Sequence, residues 1–356
     1  MWLQQLQAQG LRSFIKCDLS FSPGINVLFG DNGVGKTSIL EGISILSCGK
    51  SFRTSKISNI ITTGQSELIL FGKVCIQDQP TFLGAQIASG TKELRINREK
   101  VNKWADLAKN LPVLDIHPES YLLVTGGPVE RRKLLNWGMF HVEPGYSQRW
   151  SEYTRALKHR NICLKSRNIS SARHWHQSLS QQGEAISQAL STYCNEITPY
   201  VDEMLEIFKF DQKVQLTYWP GWNAEYRLEE LLDDELQSSE LPLSTQYGPH
   251  RGDLKINWQG RAFSRTSSRG QQKVLAIALK LAQAKLLKDQ YNKSSVYLID
   301  ELPAELDKQR REIALEVLGN LESQVIISAV SRESMQCLNK EIKWFHVKHS
   351  HVSSVV

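Results

Sequence analysis

The clearest chemical signal in the sequence is a glycine-rich stretch that ends in a lysine and a threonine. It fits the pattern G-x-x-x-x-G-K-[ST] without a mismatch, and its residues are Gly30, Asp31, Asn32, Gly33, Val34, Gly35, Lys36 and Thr37. Glycines let backbone N–H groups surround phosphate oxygens at a helix N-terminus, where the dipole favours anions. In this pattern Lys36 reaches the β- and γ-phosphates and the Thr37 hydroxyl ligates Mg²⁺. The stretch therefore predicts a P-loop that binds ATP and Mg²⁺; the alternative is a glycine-rich turn that matches by chance.

A second candidate site is an apolar run, residues 294–301, that ends in two carboxylates. This is the form of a Walker B element. Asp300 at the end of the strand is predicted to hold Mg²⁺, and Glu301 is predicted to position or activate the attacking water as the catalytic residue. Many strands end in acidic loops, so this run alone is weak evidence for a Walker B element. Together with a complete P-loop in the same chain, it is strong evidence.

A third candidate lies between these two, at Ser268-Arg269-Gly270-Gln271, before an apolar helical run. It is similar to the signature of ABC-type ATPases, usually S-G-G-Q. A serine hydroxyl and glycine N–H groups at a helix N-terminus make a second phosphate-binding surface. In ABC-type ATPases this surface closes over the γ-phosphate held by the P-loop of the other subunit, so the similarity implies that Ser268 and Gly270 act on the nucleotide of a second subunit. The alternative is a loop that only caps its helix.

The surrounding pattern predicts the elements that position these residues. A short apolar strand, residues 25–29, precedes the P-loop, and an amphipathic helix, residues 38–46, follows it. Residues 66–100 are typical of an antiparallel meander, and residues 325–329 of a buried parallel strand. We expect an α/β P-loop NTPase fold, like an ABC or SMC head, with a mixed sheet and a smaller helical second lobe. The expected domains are a first head segment (1–117), a helical insertion (118–210) and a second head segment (211–356).

Composition restricts the function classes. The chain has 356 residues, a formal net charge of +6 and six cysteines, none in a C-x-x-C pair. Scattered cysteines favour a reducing cytoplasm and argue against a zinc ribbon. We find no signal peptide and no apolar run near the roughly 20 residues of a membrane span. The mild positive charge suits a polyanionic partner, although basic enzymes are common.

Two groups of basic residues are candidates for DNA contact. Lys50, Arg53 and Lys56 follow the P-loop helix, and Arg53 could instead touch nucleotide. Arg155, Lys158 and Arg160 are expected near one side of a later helix, where they could neutralise phosphates. A solvated helix face is an equally good interpretation of the second group. No helix-turn-helix or zinc finger is visible, so sequence-specific reading of DNA is not expected.

These motifs occur together with others that span nearly the whole chain. The chain resembles the RecF family of bacterial recombination mediators, in which they form one set. Its marks here are Phe21 to Leu28, the P-loop, Gly49 to Arg53, Gly126-Gly127-Pro128 with Arg131-Arg132, Asn136 to Gly138, Tyr247 to Arg251, Ser268 to Gln271 and Leu298 to Glu301.

The resemblance implies an SMC/Rad50-like ATP-binding head that dimerises on ATP and binds single-stranded or gapped DNA without sequence preference. It implies a cytoplasmic protein, associated with the nucleoid when on DNA, that acts with other recombination mediators in the response to DNA damage. Recombinase loading, DNA repair, replication and SOS induction are the implied roles, with slow ATP hydrolysis as a conformational switch.

Three positions depart from the family pattern. Ser267, just before the signature serine, stands where the family usually has leucine. Gly252 stands where an acidic residue often follows the run Gly248 to Arg251, and Pro303 is unusual in the loop after Walker B.

Two other functions remain as alternatives. An ATPase subunit coupled to a membrane transporter would need a more compact chain and a switch histidine, which does not follow residues 325–328. A protein that holds ATP structurally would not need Asp300 and Glu301.

Overall fold

The computed structural model of the chain describes residues 1–54, 56–301, 308–335, 341–348 and 350–355. The chain divides into two compact units. Unit 1 comprises Met1–Ser120 and Lys288–Val356, and unit 2 comprises Tyr121–Leu287. Each unit has its own elements and is described separately.

Unit 1 contains two six-stranded sheets. The first is antiparallel, in the order β2-β1-β4-β5-β6-β7. Its strands are β1 (Trp2–Leu11), β2 (Phe14–Ser20), β4 (Glu67–Ile76), β5 (Gln79–Ala88), β6 (Thr91–Ile96) and β7 (Glu99–Val101). The expected meander over residues 66–100 is confirmed by β4 to β7.

The second sheet of unit 1 is mixed, in the order β15-β14-β3-β13-β12-β8. Its strands are β3 (Ile25–Phe29), β8 (Val113–Ile116), β12 (Val296–Asp300), β13 (Val325–Ala329), β14 (Ile342–Lys348) and β15 (His351–Val355). All neighbours are parallel except β14 and β15. Because β12 and β13 are buried throughout, their sequences are continuous apolar runs rather than alternating ones.

Three α-helices complete the described part of unit 1: α1 (Lys36–Cys48), α2 (Trp104–Asn110) and α11 (Lys308–Asn320). Helix α1 contacts strands of both sheets, so its surface is buried on nearly all sides. Ile39, Leu40 and Ile43 of this helix lie in one apolar core with Leu6 of β1 and Leu298 of β12. The helix that begins at the P-loop lysine is thereby fixed between the sheets.

Unit 2 is mainly helical and includes a three-stranded antiparallel sheet in the order β11-β10-β9. Its helices are α3 (Leu122–Thr125), α4 (Pro128–Val142), α5 (Tyr146–Lys165), α6 (Ile169–Arg173), α7 (His176–Ile207), α8 (Leu228–Gln237), α9 (Phe263–Thr266) and most of α10 (Arg269–Tyr291), whose last residues, from Lys288, belong to unit 1. Its strands are β9 (Gln215–Trp219), β10 (Asp253–Trp258) and β11 (Arg261–Ala262).

The division into units differs from the expected domains at one boundary. The chain enters unit 2 at Tyr121, close to the expected residue 118, but leaves it at Leu287 rather than at 210. The reason is packing, because β9 lies against α7 and β10 lies against α4. The signature motif is therefore part of unit 2.

No helix in the described parts of the chain is both long and apolar enough to cross a membrane.

Candidate nucleotide site

The P-loop connects β3 to α1, and its glycines are required by the backbone. Gly30, Gly33 and Gly35 have φ of 148°, 81° and 111°, which side chains disfavour. A Cβ at Gly35 would also collide with the ring of Phe14, and one at Gly30 with the carbonyl of Val347. The loop conformation therefore requires glycine at these positions, which argues against a glycine-rich turn that matches the P-loop pattern by chance.

Lys36 points back into this loop. Its ammonium donates hydrogen bonds to the carbonyl oxygens of Gly30 (2.7 Å) and Asp31 (2.8 Å), and the residue is 4% exposed. Burial lowers the pKa of Lys36, while the carboxylates of Glu301, Asp300 and Asp31 act in the opposite direction. The loop thus encloses a cation that interacts electrostatically with both predicted Walker B carboxylates and with Asp31.

The hydroxyl of Thr37 joins the P-loop to the end of β12. It donates a 2.8 Å hydrogen bond to Oδ1 of Asp300. Lys36 and Thr37 are adjacent in sequence, whereas Thr37 and Asp300 are 263 positions apart. The structure therefore brings together the two residues that the sequence assigned to Mg²⁺.

A residue that the sequence analysis did not single out, Ser328, bonds the carboxylate of Asp300 and the backbone of Glu301. The Ser328 hydroxyl of β13 donates to Asp300 Oδ1 (2.9 Å) and accepts from the backbone N–H of Glu301 (2.9 Å). The parallel register places Ser328 opposite Asp300. Its signal in the sequence is a single hydroxyl within the apolar run Val325–Ala329.

The signature residues lie at the start of α10 in unit 2. The Ser268 hydroxyl accepts from the backbone N–H of Gln271 (3.3 Å), and the Gln271 side chain accepts from the N–H of Ser268 (2.7 Å). This reciprocal pair is a capping box, which stabilises the helix N-terminus. Ser268 remains exposed, so the cap is presented to solvent. Ser267 uses its hydroxyl locally, donating to the carbonyl of Phe263.

One member of the first basic group, Arg53, lies near a buried carboxylate on α1. Glu41 is fully buried and accepts two hydrogen bonds from Arg12 (3.1 and 2.8 Å) and one from Ser51 (2.5 Å). Arg53 lies 4.0 Å from the same carboxylate, with 55% of its side chain exposed. Lys50 and Lys56 are exposed. Arg12 and Glu41, which the sequence analysis missed, order the segment that carries these cations.

The second basic group does not share one surface. Arg155 and Lys158 are exposed on α5, but Arg160 is 0% exposed and bonds to Glu235, Thr245 and the carbonyl of Leu232. The prediction that Arg160 contacts DNA is therefore wrong. Two residues along a helix turn about 200°, so Arg160 lies opposite Lys158. It continues the buried stripe of Tyr153 and Ala156.

The structure accounts for the glycine that departs from the family pattern. A Cβ at Gly252 would lie 2.9 Å from the Tyr218 hydroxyl and 3.1 Å from two backbone oxygens. The residue after Gly252 is acidic. It is Asp253, which is buried and accepts two hydrogen bonds from Arg131 (2.7 and 3.1 Å). Pro303 and the rest of the segment 302–307, where the sequence suggested a D-loop, lie outside the described residues.

A cavity of about 360 Å³ lies beside the first half of the P-loop, lined in part by Gly30, Asp31 and Arg332. Arg332 follows β13, where a switch histidine would be expected in a transporter ATPase. Its guanidinium lies 5.0 Å from the ring centroids of Phe29 and Trp344. Instead of a histidine, an arginine that contacts two aromatic rings therefore lies beside the P-loop after β13.

Comparison with known proteins decides the family. The sequence profile of the RecF/RecN/SMC N-terminal domain family matches residues 2–353. The DNA replication and repair protein RecF of Aliivibrio fischeri (strain MJ11) is 36% identical over 358 residues, which cover 99% of both chains. This chain belongs to the RecF family.

Solved structures agree with this assignment. The recombination mediator protein RecF-ATP of the RecFOR pathway superimposes with a TM-score of 0.88 at 25% identity, covering 100% of this chain and 98% of that one. An SMC head bound to the C-terminal winged-helix domain of ScpA gives 0.60 at 16% identity, covering 100% and 97%. The resemblance to the RecF family and the SMC-head-like α/β fold are confirmed, and the transporter alternative is not favoured.

Proposed function

We propose that this chain is an ATP-dependent DNA-binding protein of recombinational repair and replication. The observation that carries the proposal is the link from Thr37 through Asp300 to Ser328, which joins the P-loop to the predicted Walker B residues. Membership of the RecF family supplies the biological context, because the relative from A. fischeri carries the name of a DNA replication and repair protein.

The residues present fit a nucleoside triphosphate and Mg²⁺. The P-loop offers positive-φ glycines and the Lys36 ammonium for phosphate oxygens, and the Thr37 hydroxyl lies beside the carboxylate of Asp300. Hydroxyl and carboxylate oxygens are ligands that Mg²⁺ prefers, with the remaining positions left to water and phosphate. Bound there, Mg²⁺ would neutralise phosphate charge.

Glu301 is the proposed catalytic residue. Its backbone is fixed by Ser328, which leaves the side chain to position or activate a water. We propose that hydrolysis is slow and acts as a switch, because a change in the population of dimers, rather than ADP, is the useful product.

The proposed switch is an ATP-dependent homodimer. Ser268 and Gly270 would contact the nucleotide of the second copy, and the exposed capping box at the start of α10 is consistent with this role. The proposed location of this protein is the cytoplasm, in association with the nucleoid when it is on DNA. Other recombination mediators are its proposed partners in recombinase loading and SOS induction.

Lys50, Arg53, Lys56, Arg155 and Lys158 are the proposed DNA contacts, because all five are exposed cations. Arg160 is not among them, since its charge is paired inside unit 2. Contacts to phosphates alone carry no sequence information, so we propose binding to single-stranded or gapped DNA without sequence preference.

The test compares DNA binding with and without ATP for the wild type and Lys36→Ala. We expect ATP to strengthen binding of gapped DNA by the wild type and to have no effect on Lys36→Ala, because the variant loses the cation that pairs with the phosphates. Lys16→Ala, which removes an exposed lysine on β2, is the matched control and should behave as the wild type. Equal binding by the wild type with and without ATP would contradict the proposal.

A further inference from the structure

The sheet of unit 2 has a face that carries none of the roles proposed above. The antiparallel register pairs Trp219 with Asp253 and Thr217 with Lys255, and directly paired residues point to the same side of a sheet. The intervening residues of β10, Leu254 and Ile256, are buried on the other side. Trp219 is 41% exposed, which is unusual for so large an apolar ring.

Several cations gather at one end of this face around a single bonded carboxylate. Asp253 accepts two of the three hydrogen bonds that Arg131 donates, and the Lys255 ammonium lies 3.1 Å from its Oδ2. The neighbouring Arg132 donates to the carbonyl of Gly252 (2.8 Å). Burial lowers the pKa of Arg132, and the nearby charges of Arg251 and Arg131 act in the same direction.

The electrostatic result is an excess of positive charge. Arg131 and Lys255 lie against the carboxylate of Asp253, and Arg132 is close enough to feel the charges of Asp253, Arg131 and the exposed Arg251. Of the four cations Arg131, Arg132, Arg251 and Lys255, Asp253 balances one charge, and Glu235, on which Arg251 also acts, is itself paired with Arg160. Such a cluster attracts a polyanion, and it does so least at high salt.

The aromatic ring adds a different kind of contact. The Lys255 ammonium lies 5.1 Å from the centroid of the Trp219 ring, so the ring and the cation form one patch. Aromatic faces stack on unpaired bases while nearby cations hold the backbone phosphates. In a duplex the bases are already stacked on each other and cannot offer their faces.

We propose that this patch, the Trp219 surface formed by Arg131, Arg132, Trp219, Arg251 and Lys255, binds single-stranded DNA by stacking and phosphate contacts. The inference rests on the proposed DNA-binding function and adds a site to it. It also names the preferred form, because a stacking residue selects a strand with unpaired bases.

The test measures binding of a fluorescein-labelled oligothymidylate to the full chain with ATP, by fluorescence anisotropy. Trp219→Ala should weaken binding at least about fivefold, the lower end of one stacked base, and Trp219→Phe should retain most of the affinity. Tyr226→Ala is the matched control, because Tyr226 is an aromatic residue of unit 2 with 54% exposure that lies outside the sheet. Arg251→Ala should reduce the slope of log affinity against log salt by about 0.7.

Three outcomes would overturn the inference. Trp219→Ala could bind as tightly as the wild type, as it would if the edge of β9 instead receives a strand of a partner protein. Tyr226→Ala could weaken binding as much as Trp219→Ala does. Duplex DNA could lose as much affinity as the oligothymidylate when Trp219 is replaced. If the wild type binds DNA in these cases, the proposed function stands and only the Trp219 surface is rejected, whereas a wild type that binds no DNA rejects both.

Discussion

The buried ion pair between Arg160 and Glu235 makes a stability prediction at the scale of single residues. Arg160→Leu leaves the Glu235 carboxylate buried without its partner, which typically costs about 3–5 kcal/mol of unfolding free energy. We expect this loss in urea unfolding followed by circular dichroism. The double variant Arg160→Leu/Glu235→Leu should recover most of it, because two apolar side chains replace two buried charges.

Arg155→Leu is the matched control, since it removes an exposed arginine from the same helix and should change stability by roughly 0.5 kcal/mol or less. Equal losses for Arg155→Leu and Arg160→Leu would contradict the assignment of Arg160 to the interior.

His250 makes a second residue-scale prediction, about pH. Its Nε2 lies 3.1 Å from the carbonyl of Thr245 and donates to it, and in the neutral ring Nδ1 accepts from the Tyr153 hydroxyl (2.6 Å). Burial lowers the pKa of His250 to about 4, and the charges of Arg251, Arg132 and Arg160 contribute. The unfolded chain therefore binds a proton near pH 6.5, before the folded chain does.

Stability should accordingly fall as the pH drops from about 6.5 towards 4. The measurement is the urea midpoint of the full chain across this range. His250→Asn removes the imidazole and should flatten the dependence, whereas His174→Gln, at an exposed position, should leave it as in the wild type. A profile of the His250→Asn protein as steep as that of the wild type would show that other groups control the acid transition.

Residue types and spacing predicted Lys36, Thr37 and Asp300 because phosphate and metal chemistry allow few alternatives at these positions. The same reasoning misplaced Arg160, since it put Lys158 and Arg160 on one side of a helix although residues two apart are turned by about 200°. The burial stripe of α5 includes Arg160, and its partner Glu235 belongs to the acidic segment 225–240. That pairing joins residues 75 positions apart, so no local pattern reveals it.

At the scale of elements, Ser328 connects two strands at the candidate site. Ser328→Ala removes the hydroxyl that fixes both Asp300 and the backbone of Glu301, while the P-loop and Lys36 are unchanged. We expect the ATP hydrolysis rate to fall by about 10- to 100-fold, because small displacements of catalytic groups are costly. The affinity for ATP should stay near that of the wild type.

The measurement pairs steady-state ATP hydrolysis with equilibrium binding of a fluorescent ATP analogue. Ser353→Ala, which removes an exposed hydroxyl from β15, is the control and should hydrolyse ATP as the wild type does. A Ser328→Ala protein with normal hydrolysis would show that β12 holds its carboxylates without help from β13.

The positions of strands along the chain were more predictable than the way in which the strands pair in the sheet. The strand before the P-loop and the buried strand Val325–Ala329 appear where the sequence placed them, because buried parallel strands are continuous apolar runs. The order β14-β3-β13-β12-β8 could not be read in the same way, since pairing joins strands from both ends of the chain. The contribution of Ser328 depends on that order and was missed with it.

At the scale of the whole molecule, the signature motif and the P-loop belong to different compact units of the chain. If Ser268 completes the site of a second copy, as we propose, hydrolysis depends on association. The specific ATPase rate, measured as rate per chain, should then rise with protein concentration and change when gapped DNA is added. If the active site is shared between two copies, adding a variant that lacks either the P-loop lysine or the signature serine should also change the rate of the wild type, because mixed dimers form.

Ser268→Arg provides that variant, because a long charged side chain at the exposed cap blocks its approach to phosphate while Lys36 and Thr37 remain intact. Alone, it should bind ATP and hydrolyse it slowly at every concentration. Mixed with Lys36→Ala, it should regain part of the wild-type rate, since one of the two sites in a mixed dimer combines an intact P-loop with an intact signature. A specific rate that is flat in concentration, with no recovery on mixing, would mean that each chain works alone and that Ser268 serves only to cap its helix.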